Sequence, residues 1–592
     1  MAMATPAKRP TVDARARPGS WRPSTASASF LLWILVSGSA RAQITQSFGG
    51  QADSPSSVHG RVLNRATHEP ISRALVFSPD QQYATLTDDR GGFQFRFPPQ
   101  VPEPKEDQTG TPDTDVFRAR QLRMMQNARP AMFYARKPGY LQNASNQSDG
   151  RASLSQSEMV IYLDPESLIV GHVNIPGSEG DMRIGVALFR REIREGQEHW
   201  QQVRTFTTWA DGEFRFSELP AGTYKLGTSE LLDRDPLVFT PGGQLFGFAP
   251  IFYPGVSDFA SATSISLVAG ATVQASLSPI QHEYYPVKIP VVNVGDGRSM
   301  NVRIYPLGHP GPGYSLGYNF SEQLIQGTLP DGNYTLQAST QGQPGSTGLL
   351  NFSVRGGPRE GPAINLVPNA SFAVKLREEF KSGLSVFVED PGANGDVTPN
   401  AAPHRRANVQ VMLMSIEEFG TAETALSEPV QGTEEPALVI PNVRPGRYRV
   451  HVQTAVGFAA SIVSGGTNLL RQPLVVGMGG STSPIEITLR DDGAQVDGKV
   501  EEATECHVYF LPVGESSAQF LEANGTPDGS FAISQLPPGT YRVLAFDRQQ
   551  DDLAYNDAEA MRKLESKGEL IHVDAGEKEH LRLKMIPGGE SQ

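Results

Sequence analysis

The stretch Leu219-Pro-Ala-Gly-Thr-Tyr224 decides the fold, because the chain repeats it. It returns as Leu329-Pro-Asp-Gly-Asn-Tyr334, as Val443-Arg-Pro-Gly-Arg-Tyr448 with the proline moved by one, and as Leu536-Pro-Pro-Gly-Thr-Tyr541. The tyrosines stand 110, 114 and 93 residues apart, the length of a small β-sandwich. Proline presets φ, glycine supplies the unusual backbone of the turn, and tyrosine starts the next strand. A tyrosine so placed can turn its ring inward and bond its hydroxyl back to a turn carbonyl. The pairs Gly222/Tyr224, Gly332/Tyr334, Gly446/Tyr448 and Gly539/Tyr541 are therefore read as a structural turn, once per unit.

Working outward, Thr208-Trp-Ala-Asp-Gly-Glu-Phe-Arg-Phe216 and Thr526-Pro-Asp-Gly-Ser-Phe531 place Asp-Gly between β-rich runs, a hairpin followed by period-two alternation. Thr87-Asp-Asp-Arg-Gly-Gly-Phe-Gln-Phe95 is the N-terminal version. Val58-His-Gly-Arg-Val62, Ile169-Val-Gly-His-Val173 and Val496-Asp-Gly-Lys-Val500 read as first strands whose glycine permits close backbone approach. The pattern predicts an all-β protein of tandem Greek-key sandwiches with a few short helices. The units span 57–166, 167–279, 280–368, 369–490 and 491–592. A helical insertion is expected near 115–127, and a short helix near 553–566 with Gly568 as its C-cap. Short connections predict units placed end to end, as a rod with modest bending.

Composition agrees. The chain has 592 residues, too long for one core, with 59 glycines and 46 prolines. One cysteine, Cys506, excludes a disulfide scaffold or CxxC centre; it reads as a buried strand thiol. Residues 1–42 read as an export signal: a basic n-region, the apolar run Phe30–Val36, and Ala40-Arg41-Ala42 before a cleavage site at Ala42/Gln43. A linker at 43–56 follows. Without the signal the chain keeps 45 basic and 63 acidic residues, which excludes a nucleic-acid binder, and no transmembrane segment remains. The expected location is exported: periplasmic, cell-surface or secreted.

The opening Gly-x-Val strand, Pro70, Ala74-Leu-Val76, Thr87…Gly92-x-Phe and the Leu-Pro-x-Gly-x-Tyr turn resemble the carboxypeptidase regulatory-like family, close to transthyretin-like and Cna-B-type sandwiches. The match is good over 57–97, 168–228 and 495–546 and weaker between; the first unit lacks the Gly-x-Tyr turn after Phe97. The resemblance implies secreted, seven-stranded, non-catalytic modules with a carbohydrate-binding-like fold. Cna-B-type relatives can form Lys–Asn isopeptide bonds. Lys288, Lys375 and Lys499 lie in opening strands, but no Asn and acid recur at a fixed offset, so exposed lysine heads are the better reading.

Little catalytic chemistry emerges. Gly313-Tyr-Ser315-Leu-Gly317 matches G-x-S-x-G, but a nucleophile elbow needs a strand before it and a helix after it. His309-Pro-Gly-Pro precedes the serine, so a loop is the better reading. The histidines are scattered, His59 and His172 reading as exposed strand positions, and Asp88-Asp89 and Asp491-Asp492 lack calcium-loop spacing. No catalytic residue, cofactor or metal is assigned. Residues 237–259 read as a long inter-strand loop rich in aromatics. Its Phe246, Phe248, Phe252 and Tyr253 either pack onto the sandwich or form a surface for a glycan or protein partner, which Tyr284-Tyr285 could extend. The expected function is an exported, non-catalytic binding or scaffold protein. The alternatives are a carbohydrate-binding protein using aromatic loops and a hydrolase built on Ser315.

Overall fold

The computed structural model describes residues 57–587 apart from 98–131, 142–158, 177–181, 234–243, 296–298, 341, 343, 390–404, 420–423, 431–436, 480–481, 502–505, 515–518, 527 and 551–552. The expected signal, its Ala42/Gln43 cleavage site, the linker and the helical insertion near 115–127 lie outside the described residues.

The protein is built from β-sandwiches. Five main core clusters follow one another along the chain, within 62–163, 169–277, 287–366, 372–489 and 494–583. The opening strand has one environment in all five. It lies between an antiparallel neighbour and a parallel closing strand. Thus Ser57–Asn64 lies between Gly92–Arg96 and Met159–Leu163, and Ser167–Val173 between Glu213–Leu219 and Thr272–Leu277. Gln281–Val292, Ala370–Glu379 and Ala494–Glu501 repeat the arrangement. A central strand flanked on both sides leaves no room on one face. A Cβ on Gly60, Gly171 or Gly498 would meet the carbonyl of the parallel strand (Met159, Ala275, Leu581) and the ring of the hairpin phenylalanine (Phe93, Phe214, Phe531).

The hairpins before these phenylalanines are fixed locally. Asp88 Oδ1 accepts from the backbone N of Arg90 (2.9 Å) and of Gly92 (2.7 Å), and Asp211 Oδ1 accepts from Glu213 N at 3.0 Å. The threonine ahead of the turn is buried in two units. Thr87 donates to Ile71 O at 2.6 Å while accepting from Ala74 N, and Thr208 accepts from Ile184 N at 3.1 Å.

The repeated tyrosine turn crosses from one sheet to the other. Glu213–Leu219 pairs in the opening-strand sheet, whereas Gly222–Thr228 sits between Gly185–Arg194 and Ile265–Leu267 in the facing sheet. Gly446–Thr454 occupies the same place between Val409–Ser415 and Leu474–Val476, and Gly539–Phe546 between His507–Val513 and Glu569–Val573. All four tyrosines are buried, and each hydroxyl donates to the carbonyl four residues back. Tyr224 reaches Pro220 at 2.8 Å, Tyr334 reaches Pro330 at 2.8 Å, Tyr448 reaches Arg444 at 3.0 Å and Tyr541 reaches Pro537 at 2.6 Å.

Three sequence expectations change. The C-terminal helix is only Ala558–Arg562, capped by Asp557 and ending at Lys563; Gly568 is instead packed against Leu544 and Arg542. The aromatic stretch is not all loop, because Leu245–Phe248 forms a strand that pairs with Gln281–Val292 of the third unit. The units are also not placed simply end to end. The hairpin Gly185–Arg194/Gln197–Thr207 turns through Glu195-Gly196, both with positive φ (52° and 67°), and its tip reaches units far along the chain. His199 Nδ1 lies 2.7 Å from Glu417 O, Trp200 N donates to Glu418 O at 2.7 Å, and Glu195 Oε2 lies 2.7 Å from His451 Nε2. In the fifth unit, Asn556 donates to Glu195 O (2.6 Å) and Gly196 O (3.1 Å). The second unit is thereby clasped to the fourth and fifth.

Candidate functional site

The corner strand of the second unit, Gly222–Thr228, ends in Ser229-Glu230, and this exit builds one wall of a cleft of about 690 Å³. The third unit adds Arg303 on Met300–Pro306 and the loop through Gly313-Tyr-Ser315; the fourth adds Phe419. The volume lies within the usual range for small-molecule sites, ~300–1,000 Å³. Phe189 and Phe252 of the second unit back the cleft and are themselves almost fully buried.

Glu230 is the group whose chemistry is most altered. Burial lifts its carboxyl to about 7, against smaller lowering contributions from Ser315 N (3.5 Å) and the Tyr284 hydroxyl. Oε1 of Glu230 and the Tyr284 hydroxyl are both closed to solvent, and the two miss good hydrogen-bond geometry. Burial also pushes up Tyr284, with the Glu230 charge adding to it. Tyr314, whose ring meets Tyr334 edge-on at 5.4 Å, is pushed up to about 12, again chiefly by burial. Glu230, Tyr284, Tyr314 and Tyr334 thus form one buried polar cluster between the second and third units.

Beside the cleft lies a second cluster, of Phe189, Trp200, Phe252 and Phe259 with Phe419 packed against it. Lys225 is buried here. Its Nζ donates to Phe259 O at 2.9 Å and stands 4.7 Å from the rings of both Trp200 and Phe259. Burial lowers its pKa, partly offset by Glu418, Glu198 and Asp258. The aromatic faces and carbonyls hold the ammonium where, among the described residues, no carboxylate pairs with it.

The structure brings the four aromatic candidates to one region but turns them differently. Phe248 and Phe252 are 1% and 3% exposed, so neither offers a face to a glycan; Phe246 and Tyr253 are half-buried. Phe252 is bridged to Gly227 and packs edge-on against Phe259 in the neighbouring cluster, whereas Phe248 is closed over the second core by the strand pairing with the third unit. Tyr284 fills that joint, opposite Leu245. Ser315 is exposed on a loop, followed by the short strand Gly317–Asn319, and its backbone N meets Glu230; the arrangement is not a nucleophile elbow. Lys288, Lys375 and Lys499 all point to solvent, Lys375 pairing with Glu486 at 3.3 Å. His59 and His172 are exposed, and His172 Nε2 lies 2.7 Å from Asp211 O. Cys506 is buried in the fifth core, just before the strand His507–Val513. Among the described residues no group of three His, Cys, Asp or Glu is placed to hold a metal, and no helix is long and apolar enough to cross a membrane.

Sequence reasoning missed Glu230, Arg303, Phe419 and the clasp. Glu230 carried no distinctive signal, standing two residues after a mixed strand and close to Asp233 and Asp235. Arg303 and Phe419 carried none, because they meet Glu230's wall only through tertiary packing.

No family model matches the sequence, and no curated protein matches it. Among solved structures, the Bacillus anthracis TIE protein is 9% identical, over 71% of this chain and 74% of that one, with a TM-score of 0.13. A streptococcal ancillary pilin is 11% identical over 55% of this chain and 99% of its own, with a TM-score of 0.19. BcpA, the major pilin subunit of Bacillus cereus, is 11% identical over 55% of this chain and 99% of its own, with a TM-score of 0.14. At these scores the likenesses carry no argument about arrangement or activity, and the β-sandwich architecture rests on the strand pairing described above.

Proposed function

We propose that the chain is an exported, non-catalytic binding and scaffold protein of the cell envelope or exterior, built from five carboxypeptidase regulatory-like units with the boundaries read above. One observation carries this reading: the residues that repeat are used by the fold. The four recurrent tyrosines are buried and bonded to their own turns, and the recurrent glycines lie under strands or rings. A repeated catalytic or ligand-binding residue would have to remain accessible. The clasp between the second, fourth and fifth units supports a scaffold role, since it makes one connected body from sandwiches far apart in sequence. The test is expression of the full chain in a bacterial host, with fractionation and N-terminal sequencing of the product. Recovery outside the cytoplasm with Gln43 as first residue is expected. Retention in the cytoplasm with an intact N-terminus would overturn the exported reading.

A further inference from the structure

We propose that the cleft where the second, third and fourth units meet binds a small amphipathic organic anion, an aromatic or acyl body bearing one carboxylate, with that carboxylate seated on Arg303. Arg303 lines the cleft, and among the described residues its guanidinium makes no ion pair and no side-chain hydrogen bond; it stands 6.0 Å from the Phe419 ring. A guanidinium with its fork unused beside an aromatic is suited to a carboxylate, which it can hold through two parallel hydrogen bonds.

The remaining walls select the body of the ligand. Phe419, only partly buried, supplies the apolar contact, with Phe252 and Phe189 packed behind it, and the Gly311–Ser315 loop and Ser229 add polar groups to the lining. Glu230 does not oppose an anion below neutrality. It is faced by the hydroxyls of Tyr284, Tyr314 and Tyr334 and by Ser315 N, and its raised value leaves it largely uncharged there. Glu417, two residues before Phe419, is turned to Arg447, whose backbone N it accepts from at 3.0 Å. A neutral sugar would make no use of the Arg303 charge, which is why the anion is favoured over a glycan.

The site also depends on the clasp. Phe419 reaches the cleft because its backbone bridges Trp200 of the long hairpin, next to the bond from Trp200 N to Glu418 O. The cleft is therefore completed only when the second and fourth units are joined.

The test uses the full chain and three probes followed by ligand-observed NMR and calorimetry: N-acetylphenylalanine, its uncharged amide, and maltose. The acid should bind, the amide at least tenfold more weakly, and maltose not at all. Arg303→Gln should remove the difference between acid and amide, whereas Arg303→Lys should keep part of it, which separates lost charge from lost folding. Phe419→Ala should weaken acid and amide alike. Equal binding of acid and amide, binding indifferent to Arg303→Gln, preference for maltose, or no binding of the acid at millimolar concentration would each overturn the proposal. None of these outcomes bears on whether the chain is exported, which fractionation reads separately.

Discussion

The corner of the third unit and the corners of the second, fourth and fifth share a sequence and a hydrogen bond, yet they are built differently. In the latter three, a bulge precedes the turn, and the residue before the apolar position has positive φ: Glu218 at 53°, Asn442 at 57° and Gln535 at 60°. The corner glycines there lie at φ 153°, 158° and 153°, a region L-residues seldom enter. The third unit has no such bulge. Leu324–Pro330 pairs with Gln281–Val292 in unbroken register up to Tyr284 opposite Pro330. Its Gly332 is needed for a different reason: a Cβ there would sit 2.7 Å from the Tyr334 hydroxyl and 2.8 Å from Cζ of its ring. At Gly222 the nearest Tyr224 atom would be 3.7 Å away. One motif therefore conceals two solutions, one set by backbone conformation and one by the tyrosine ring. Tyr334 in addition belongs to the Glu230 cluster between the second and third units.

The largest test of that difference is truncation. Tyr541→Ala and Tyr334→Ala should each cost about 3–5 kcal/mol, read as lost hydrogen-exchange protection in the strand after the corner. Only Tyr334→Ala should also open the junction and return Glu230 toward its ordinary value of 4.5. A Glu230 titration unchanged in that variant would separate Tyr334 from the cluster.

Next comes pH. Glu230 has a folded-state value of about 7 against 4.5 when unfolded, so the stability it contributes is complete below about 4.5 and is lost as pH rises through about 7. The full difference corresponds to roughly 3 kcal/mol. Glu230→Gln should flatten that slope in urea unfolding followed at the second and third units. An unaltered slope would show that the carboxyl is not held in this way.

Smaller still is coupling between glycine and tyrosine. Gly332→Ala should cost about 1–3 kcal/mol, and Tyr334→Leu should relieve part of it, giving a coupling above ~1 kcal/mol in a double-mutant cycle. For Gly222→Ala with Tyr224→Leu the two costs should add within about 0.5 kcal/mol, because strain at φ 153° does not depend on the ring. Similar couplings in the two units would erase the distinction drawn here.

The smallest effect is loss of one hydroxyl. Tyr→Phe at 224, 334, 448 or 541 leaves a turn carbonyl unmatched and should cost about 1–2 kcal/mol at each corner. A negligible cost at Tyr448, whose bond is the longest at 3.0 Å, would mark that corner as held by ring burial alone.

Much of this architecture was legible in the residues. The tyrosine–carbonyl bond spans four positions, the Asp-Gly hairpins span two to four, and the opening glycines announce a strand pressed from both sides. Such features follow from short-range stereochemistry, so a sequence pattern states them. The bulges at Glu218, Asn442 and Gln535 were not legible, since three different side chains take the same backbone conformation. Phe248 and Phe252 looked like candidates for a surface because nothing local says that the first will sit in a strand added to the next unit or that the second will pack on Gly227 and Phe259.

The sequence by itself therefore determined the sandwich units, their corners and the inward tyrosines, through bonds between residues that are never far apart along the chain. Tertiary structure alone decided the clasp, the burial of the aromatic stretch and the cleft. Glu195 meets His451 across 256 residues, and Arg303 meets Phe419 across more than a hundred. Contacts of that range depend on how completed sandwiches pack, and packing selects surfaces by shape and charge after the local turns have formed.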